Sequence, residues 1–455
     1  MMRVYAQASL RATVTSRTSI GGVVVSRNSY SRRQFMRSAA AAVAAPLVIP
    51  ATSLGRGWRV APSERITLGM IGVGNMGSGH LETLLGHPEV QIVAVCDVDA
   101  EKRRAAVERT ESHYAAEKVS GTFRGCDGYN EFEKLLARTD LDAVLIAVPD
   151  HWHAIISIAA ARAGKDIYCE KPLALTVREA RAMVDAVRRH ARVFQTGSQQ
   201  RSSPEFRRAC EYVRSGRIGR LQSIHVNIGP PSRDKYFEKQ PVREGLDWDR
   251  WLGPAPWAEY NAERCSGDYS GGWRRVRDYS GGMTTDWGAH HFDIGQWALG
   301  MDESGPVEIT PPPKRDDWGL TFRYAGGVTM SRHERYEDHP VSGVYFVGTD
   351  GRIEVNRGHL KTWPDEIIAE PLGAKEVHLF VSPGHHQNWF DCIRSRRRPI
   401  CDVEVGCRTI TACHLGNIAC WTERVIRWDP EKERIVGDES AARWLDRPRR
   451  GPWRI

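Results

Sequence analysis

Ile66-Thr67-Leu68-Gly69-Met70-Ile71-Gly72-Val73-Gly74-Asn75-Met76-Gly77, followed by Gln91-Ile92-Val93-Ala94-Val95-Cys96-Asp97, is the stretch from which the fold is read. An apolar strand runs into a G-x-G-x-x-G turn, then a short helix, then a second apolar strand that ends in an acid. Gly72 permits the tight turn, Gly74 lets a pyrophosphate come close to the backbone, and Gly77 lets helix and strand pack closely. Asn75 and Met76 lie where the helix begins, and a helix start offers free N–H groups and a positive dipole end to phosphates. Asp97 falls where a carboxylate accepts hydrogen bonds from the adenosine ribose hydroxyls. Glycine clusters also mark ordinary turns. Strand, turn, helix, strand and acid in one series predict a dinucleotide site.

Working outward, 455 residues exceed one ordinary domain and two are expected. Hydrophobic residues make up 41% of the chain, with 15 Trp, as filled globular cores require. The net charge of +8 misleads, because residues 1–60 carry nine Arg, no Lys and no acid. Without those nine charges the remainder stands at −1. A nucleic-acid partner would need a basic folded domain, so nucleic acid is set aside. Within the basic lead, Ser31-Arg32-Arg33-Gln34-Phe35-Met36-Arg37 precedes a weakly apolar run, Ala39 to Ala51. The pairing resembles a twin-arginine export signal and predicts a periplasmic or otherwise exported protein. The run is shorter than the ~20 residues that cross a bilayer, so no stable membrane anchor is expected. A disordered basic tail or a lipid-surface anchor is the competing reading. Ten Cys show no C-x-x-C spacing, and several sit in apolar runs as core thiols do.

The expected organisation is an export lead over residues 1–52, a linker over 53–62, a dinucleotide-binding domain over 63–200 and a second α/β domain over 201–455. In the first domain strands and helices alternate. Leu141–Val148 reads as a buried strand ending in Pro149-Asp150-His151-Trp152-His153, and Asp166–Pro172 as a strand with a charged end, Glu170-Lys171-Pro172. Thr176 and Glu179 make a capping box for the helix that follows. This order implies a doubly wound parallel sheet with ligands at the carboxyl ends of its strands. Beyond residue 200 the period shifts to two, and Asp350-Gly351 signals a hairpin between Val344–Gly348 and Arg352–Val355. A large, mostly antiparallel sheet with helices is expected there. Between the two lies an irregular stretch, residues 229–279, with four Trp (248, 251, 257, 273) and four Tyr (236, 260, 269, 279). Loops of that length are usually functional. Most of these aromatics are expected to anchor the loop to the core, and one or two to stack on a sugar.

Two constellations carry chemistry. Lys171 would present an ammonium at the cofactor side of its strand, able to hydrogen-bond a substrate hydroxyl and stabilise an alkoxide. On three residues alone, a surface lysine beside a turn proline is the plainer reading. In Gly281 to Trp297, a continuous helix would place Asp286, His290 and Asp293 on one face. His290 beside a carboxylate suits a general base. A metal site of Asp286, His290, His291 and Asp293 and a merely structural polar face are the alternatives, and the stretch by itself favours the structural one.

Taken in order, the glycine turn, Pro149–His153, Glu170-Lys171-Pro172 and Gly281-Gly282 to His290 closely resemble the glucose–fructose oxidoreductase / inositol dehydrogenase / rhizopine-catabolism (Gfo/Idh/MocA) family. The resemblance runs from about Arg65 to the C-terminus, and Leu246–Pro254 and His414–Ala419 look like an exported subfamily. It implies a Rossmann domain plus an α/β domain with an open sheet, used in oligomers of identical chains. It implies NAD(H) or NADP(H) and a carbohydrate or polyol substrate. Residue by residue, it makes Lys171 the substrate-binding lysine, His290 the acid/base and Asp286 its partner, with no metal. It places Pro149, His153 and Glu170 near the nicotinamide half. Asp150 departs from the pattern, which often has Asn there. Asp97 would repel a 2′-phosphate, which favours NAD, whereas Arg103 and Arg104 leave NADP open. The functions so implied are a sugar, polyol or glycoside oxidoreductase with a retained cofactor, an NAD-dependent glycosidase working by transient oxidation and elimination, or a non-catalytic sugar-binding protein.

Overall fold

The computed structural model describes residues 64–269, 271–314 and 317–455. The expected export lead (1–52) and linker (53–62) lie outside the described residues.

Six strands form the first sheet: β1 (Ile66–Ile71), β2 (Val90–Cys96), β3 (Asp127–Tyr129), β4 (Ala143–Ile146), β5 (Asp166–Cys169) and β6 (Phe194–Thr196). Their order is β3-β2-β1-β4-β5-β6, and every pairing is parallel. Helices cover both faces, so β2, β4 and β5 are buried along their whole length, as their unbroken apolar runs require. The strand order reverses between β1 and β4, which opens a crevice at their carboxyl ends. The helix Asn75–Leu85 leaves that crevice after β1, and the helix Asp150–Arg162 after β4. The second begins at Asp150 itself, so Asp150–His153 form its first turn. The capping box holds with one shift. Thr176 Oγ1 accepts from Glu179 N at 3.1 Å, while Glu179 Oε2 reaches back to Leu175 N at 3.1 Å.

The second sheet has nine strands: β7 (Leu221–Val226), β8 (Glu308–Thr310), β9 (Thr321–Arg323), β10 (Thr329–Arg332), β13 (Val344–Gly348), β14 (Arg352–Asn356), β15 (His359–Trp363), β16 (Ile426–Asp429) and β17 (Arg434–Ile435). A separate pair, β11 (Arg335–Tyr336) and β12 (His339–Pro340), lies outside it. The order is β15-β14-β13-β7-β10-β9-β8-β16-β17, antiparallel except for β7 beside β10. The Asp350-Gly351 turn joins β13 to β14 as expected. Helices Gly288–Leu299 and Val403–Thr422 pack on this sheet through Phe292 against Phe322 (ring centroids 4.9 Å) and Gly416 against Leu320 and Phe322. The helix Val403–Thr422 also returns to the first domain. Arg181 makes a two-pronged pair with Glu404 (2.8 Å each), and Cys401 O accepts from Thr196 N at 2.8 Å. All ten Cys are free thiols, nine of them buried. No helix among the described residues is long and apolar enough to cross a membrane.

Candidate functional site

The glycines of the first turn divide the work as their positions suggest. Gly72 has φ +86°, where a Cβ would collide with Ala147 O, and a Cβ on Gly77 would collide with Gly72 O. Around Gly74 a Cβ would meet nothing within 4 Å. The open side of the turn is therefore at Gly74, where a pyrophosphate needs it, and Asn75 and Met76 line the same cleft. Asp97 also lines it. Its Oδ2 accepts from Val73 N and its Oδ1 from Asp99 N, both at 2.9 Å, so the carboxylate braces the turn and retains a lone pair on each oxygen for a ribose. Burial pushes this carboxyl up from its ordinary value, against the pull of those two N–H groups. The residues present thus fit a dinucleotide.

Neither arginine that left NADP open reaches the cleft. Arg103 Nη1 donates to Asp97 O and Asn130 Oδ1, and Arg104 lies 3.7 Å from Glu108 on the exposed face of its helix. The cations that do line the adenosine end are Lys102, Arg243 and Arg250. Each faces carboxylates already: Asp99 for Lys102 and Arg243, and Glu131, Glu133 and Asp247 for Arg250.

At the other end, Lys171 Nζ donates to Asp286 Oδ1 at 2.7 Å and to Asp286 O at 3.3 Å. Lys171 follows β5 of the first sheet, and Asp286 ends the short helix Met283–Asp286 in the second domain. Arg274 Nε stands 3.7 Å from the same Asp286 oxygen. Asp150, 2% exposed, lines this end too, and burial pushes its carboxyl up to about 7, aided by Asp286 and opposed by Ser280, Arg274 and Lys171.

Asp286 and His290 are not the bonded pair that a continuous helix would give. The helix breaks at Trp287 and restarts at Gly288. Asp286 turns to Lys171. Asp293 turns into the core, where it holds Arg201 (2.7 and 2.8 Å) and Thr409 Oγ1 (2.7 Å). The four candidate metal ligands therefore diverge. His290 is 5% exposed and its Nδ1 is buried without a partner. Burial first, then the charges of Lys171 and Arg357, hold its imidazole well below its ordinary value and therefore neutral.

Glu170 reaches the cleft, but its carboxylate is well occupied. Oε1 takes His80 Nε2 (2.9 Å) and Gln199 Nε2 (2.8 Å), and Oε2 takes Lys171 N (3.1 Å). Pro149 lines the cleft as the N-cap of the helix Asp150–Arg162. His153 lies behind the wall, with Nδ1 2.7 Å from Pro172 O and Nε2 2.9 Å from Val148 O. It braces the ends of β4 and β5 against each other rather than facing a ligand.

The irregular stretch 229–279 forms one wall of the cleft. Asp247 N donates to Val98 O at 3.0 Å, Ala100 N to Gly245 O at 2.9 Å, and Asn75 Nδ2 to Gly267 O at 3.0 Å. Trp248, Trp251, Tyr260, Trp273 and Tyr279 form a core of their own beneath it, whereas Tyr236 and Trp257 are exposed. Trp251 O accepts from His151 Nε2 (3.0 Å) and Trp152 Nε1 (3.1 Å), which ties this core to the helix after β4. Tyr269 and Trp273 face the cleft, with Arg274 over both rings at 4.9 and 4.4 Å. The contributions of Arg243, Gly267, Tyr269 and Arg274 have no motif that marks them. The length and aromatic content of the loop were the only signal.

The NAD-binding Rossmann fold of an oxidoreductase family matches residues 66–198, and that family's C-terminal alpha/beta domain matches residues 232–455. Inositol 2-dehydrogenase of Salmonella typhimurium (strain LT2) is 31% identical over 191 residues, covering 40% of this chain and 53% of its own. A glycosyl hydrolase family 109 protein of Saccharopolyspora erythraea is 36% identical over 182 residues, covering 36% and 38%. The chain spans about half the length, or less, of these curated relatives. Among solved structures, aldose-aldose oxidoreductase from Caulobacter crescentus superposes with a TM-score of 0.56 at 17% identity, covering 80% of this chain and 99% of that one. The WlbA dehydrogenase from Bordetella pertussis, in complex with NADH and UDP-GlcNAcA, gives 0.54 at 18%, covering 80% and 98%. At those identities the likeness is one of fold.

Proposed function

Because this chain belongs to the Gfo/Idh/MocA family of oxidoreductases, with an NAD-binding Rossmann domain and a C-terminal α/β domain, we propose that it oxidises a CH–OH group of a sugar, polyol or glycoside. The observation that carries this reading is the meeting of Lys171 and Asp286, from two domains, at 2.7 Å beside a buried neutral histidine. NAD, which Gly74, Asn75, Met76 and Asp97 would hold, would supply the hydride acceptor. The chain's own residues handle the proton. Lys171, held in place by Asp286, donates to the substrate oxygen and favours its alkoxide form. His290, held neutral, takes the hydroxyl proton. Glu170, pinned by His80 and Gln199, fixes the strand end from which Lys171 projects. His290→Ala is expected to lower kcat by ~10²–10⁴ while NAD binding survives. Unchanged turnover would reject the assignment.

We further propose that the cofactor is retained through export by the twin-arginine route. Ser31–Arg37 motivates the export reading. The stretch 229–279 supports retention, since it spans the cleft from Val98 to Asn75 and would have to lift for a dinucleotide to leave. Denaturing protein purified from cells is expected to release about one NAD(H) per chain. Absence of nucleotide, with fast exchange of added NAD, would contradict retention.

A glycosidase working by oxidation, elimination and re-reduction is the second reading, and Asp150 favours it. A buried carboxyl pushed up to about 7 is half protonated at neutral pH and can give a proton to a departing alcohol. Solvent deuterium in the released sugar would mark that route, and its absence would leave simple dehydrogenation.

A further inference from the structure

Arg357 sits in the turn between β14 and β15, beside the buried histidine that the proposed oxidation relies on. Its guanidinium carbon lies 5.0 Å from the ring centroid of Trp287. Trp287 is 37% exposed, and its ring is 5.8 Å from that of His290. With the Gln200 amide assigned from its hydrogen-bonding surroundings, its oxygen accepts from Arg357 Nε at 3.3 Å and its nitrogen donates to His290 O at 3.0 Å. One buried amide thus couples the arginine to the backbone of His290. The neighbouring carboxylate, Glu205, is used otherwise: its Oε1 accepts from Gly358 N at 3.0 Å. Arg357 is exposed, and among the described residues no carboxylate pairs with it and no atom accepts from its two Nη groups.

That situation sets it apart from the arginines that line the cleft. Arg243 and Arg250 face carboxylates, and Arg274 faces Asp286. An arginine held by an amide and an aromatic ring, with its fork left open, is prepared for a planar or tetrahedral anion. Trp287 and Gln200 thus set Arg357 beside His290, a histidine on which the charges of Lys171 and Arg357 both act. A substrate whose hydroxyl reaches His290 from the Lys171 side can extend its far end to Arg357.

We propose that Arg357 and Trp287 form the anion-recognition end of the substrate site, and that the substrate is a sugar or polyol carrying a carboxylate or phosphate group. The hydroxyl to be oxidised lies at the Lys171 and His290 end, and the anion at the Arg357 end. The inference deepens the proposed oxidoreductase reading and rests on it for the identity of the site. It does not rest on turnover.

The test measures binding to the NAD-loaded full chain by calorimetry, with three probes: glucuronate, glucose 6-phosphate and glucose. The wild type is compared with Arg357→Gln, Arg357→Lys and the remote control Arg104→Gln. At least one anionic sugar is expected to bind tenfold or more tighter than glucose, and raising the salt from low to physiological strength should narrow the gap. A preference for glucuronate alone identifies a carboxylate, and for glucose 6-phosphate alone a phosphate. In Arg357→Gln the ratio should fall to about one, in Arg357→Lys to an intermediate value, and in Arg104→Gln it should stay at the wild-type value. Equal binding of all three sugars by the wild type, no binding of any, or a preference that survives Arg357→Gln would overturn the proposal. If the preference behaves as expected while no sugar reduces the bound NAD, the anion site stands and the oxidation reading fails.

Discussion

At the scale of single residues, Asp150 is the most informative position in the cleft. The family pattern often has Asn there, so replacement by Asn should be tolerated by the backbone. The acid differs from the amide in one property: burial and the neighbouring Asp286 push its proton affinity up to about 7. A pH profile of kcat/KM should therefore show an inflection near 7 that Asp150→Asn removes, and a profile identical in both enzymes would show that the carboxyl takes no part. The sequence marked Asp150 as a departure, but not its burial, which depends on the second domain arriving over it. Lys171, Asp286 and His290 were legible as residue types. The bond between the first two was not, because it joins positions 115 apart. The supposed Asp286–His290 pair was read from a periodicity that the break at Trp287 interrupts. Arg357 and Gln200 carried no signal at all. Their meaning comes from a turn and a 3₁₀ segment converging on one histidine.

At the scale of elements, the first strand–turn–helix was legible almost atom by atom, because its chemistry is local. Gly74 and Gly77 separate binding from folding. At Gly74 a Cβ meets nothing, so Gly74→Ala should keep its melting temperature and lose NAD affinity. At Gly77 a Cβ meets the backbone carbonyl of Gly72, which cannot give way as a flexible side chain would. Gly77→Ala should therefore unfold more easily, by about 1–3 kcal/mol. Thermal melts with and without NAD check both, and the reverse pattern would contradict the division of roles. The stretch 229–279 was legible only as a long aromatic loop. Its second core, formed by Trp248, Trp251, Tyr260 and Trp273, arises from contacts that no period announces. Arg243 ties this stretch to Asp99. Arg243→Ala should speed release of bound NAD by several-fold, measured as exchange with labelled nucleotide, and an unchanged rate would show that the strap does not hold the cofactor.

At the scale of the whole molecule, the two-domain order was legible from the switch between periods, whereas the return of residues 385–455 onto the first domain was not. That return buries His385 and His414, and burial with few compensating charges is a recurrent feature of this chain. His151, His291 and His386 are held down to about 3, and His225, His385 and His414 to about 4. Below about 6.5 the unfolded chain binds protons that the native state refuses, so stability is present above 6.5 and falls as the pH drops toward 4. Melting temperature should decline between pH 7 and 5, and His414→Asn should make that decline shallower. A melting temperature that is flat or rises on acidification would contradict this. The central claim is that Lys171, Asp286 and His290 from two domains make one oxidising site over a bound NAD. The most direct test adds a panel of neutral and anionic sugars and polyols to the NAD-loaded protein and follows absorbance of the reduced nicotinamide. The expected result is reduction by at least one compound in the wild type, lost in Lys171→Ala and His290→Ala although both still bind NAD. Reduction that persists in both variants, or a wild type that no compound reduces, would contradict it.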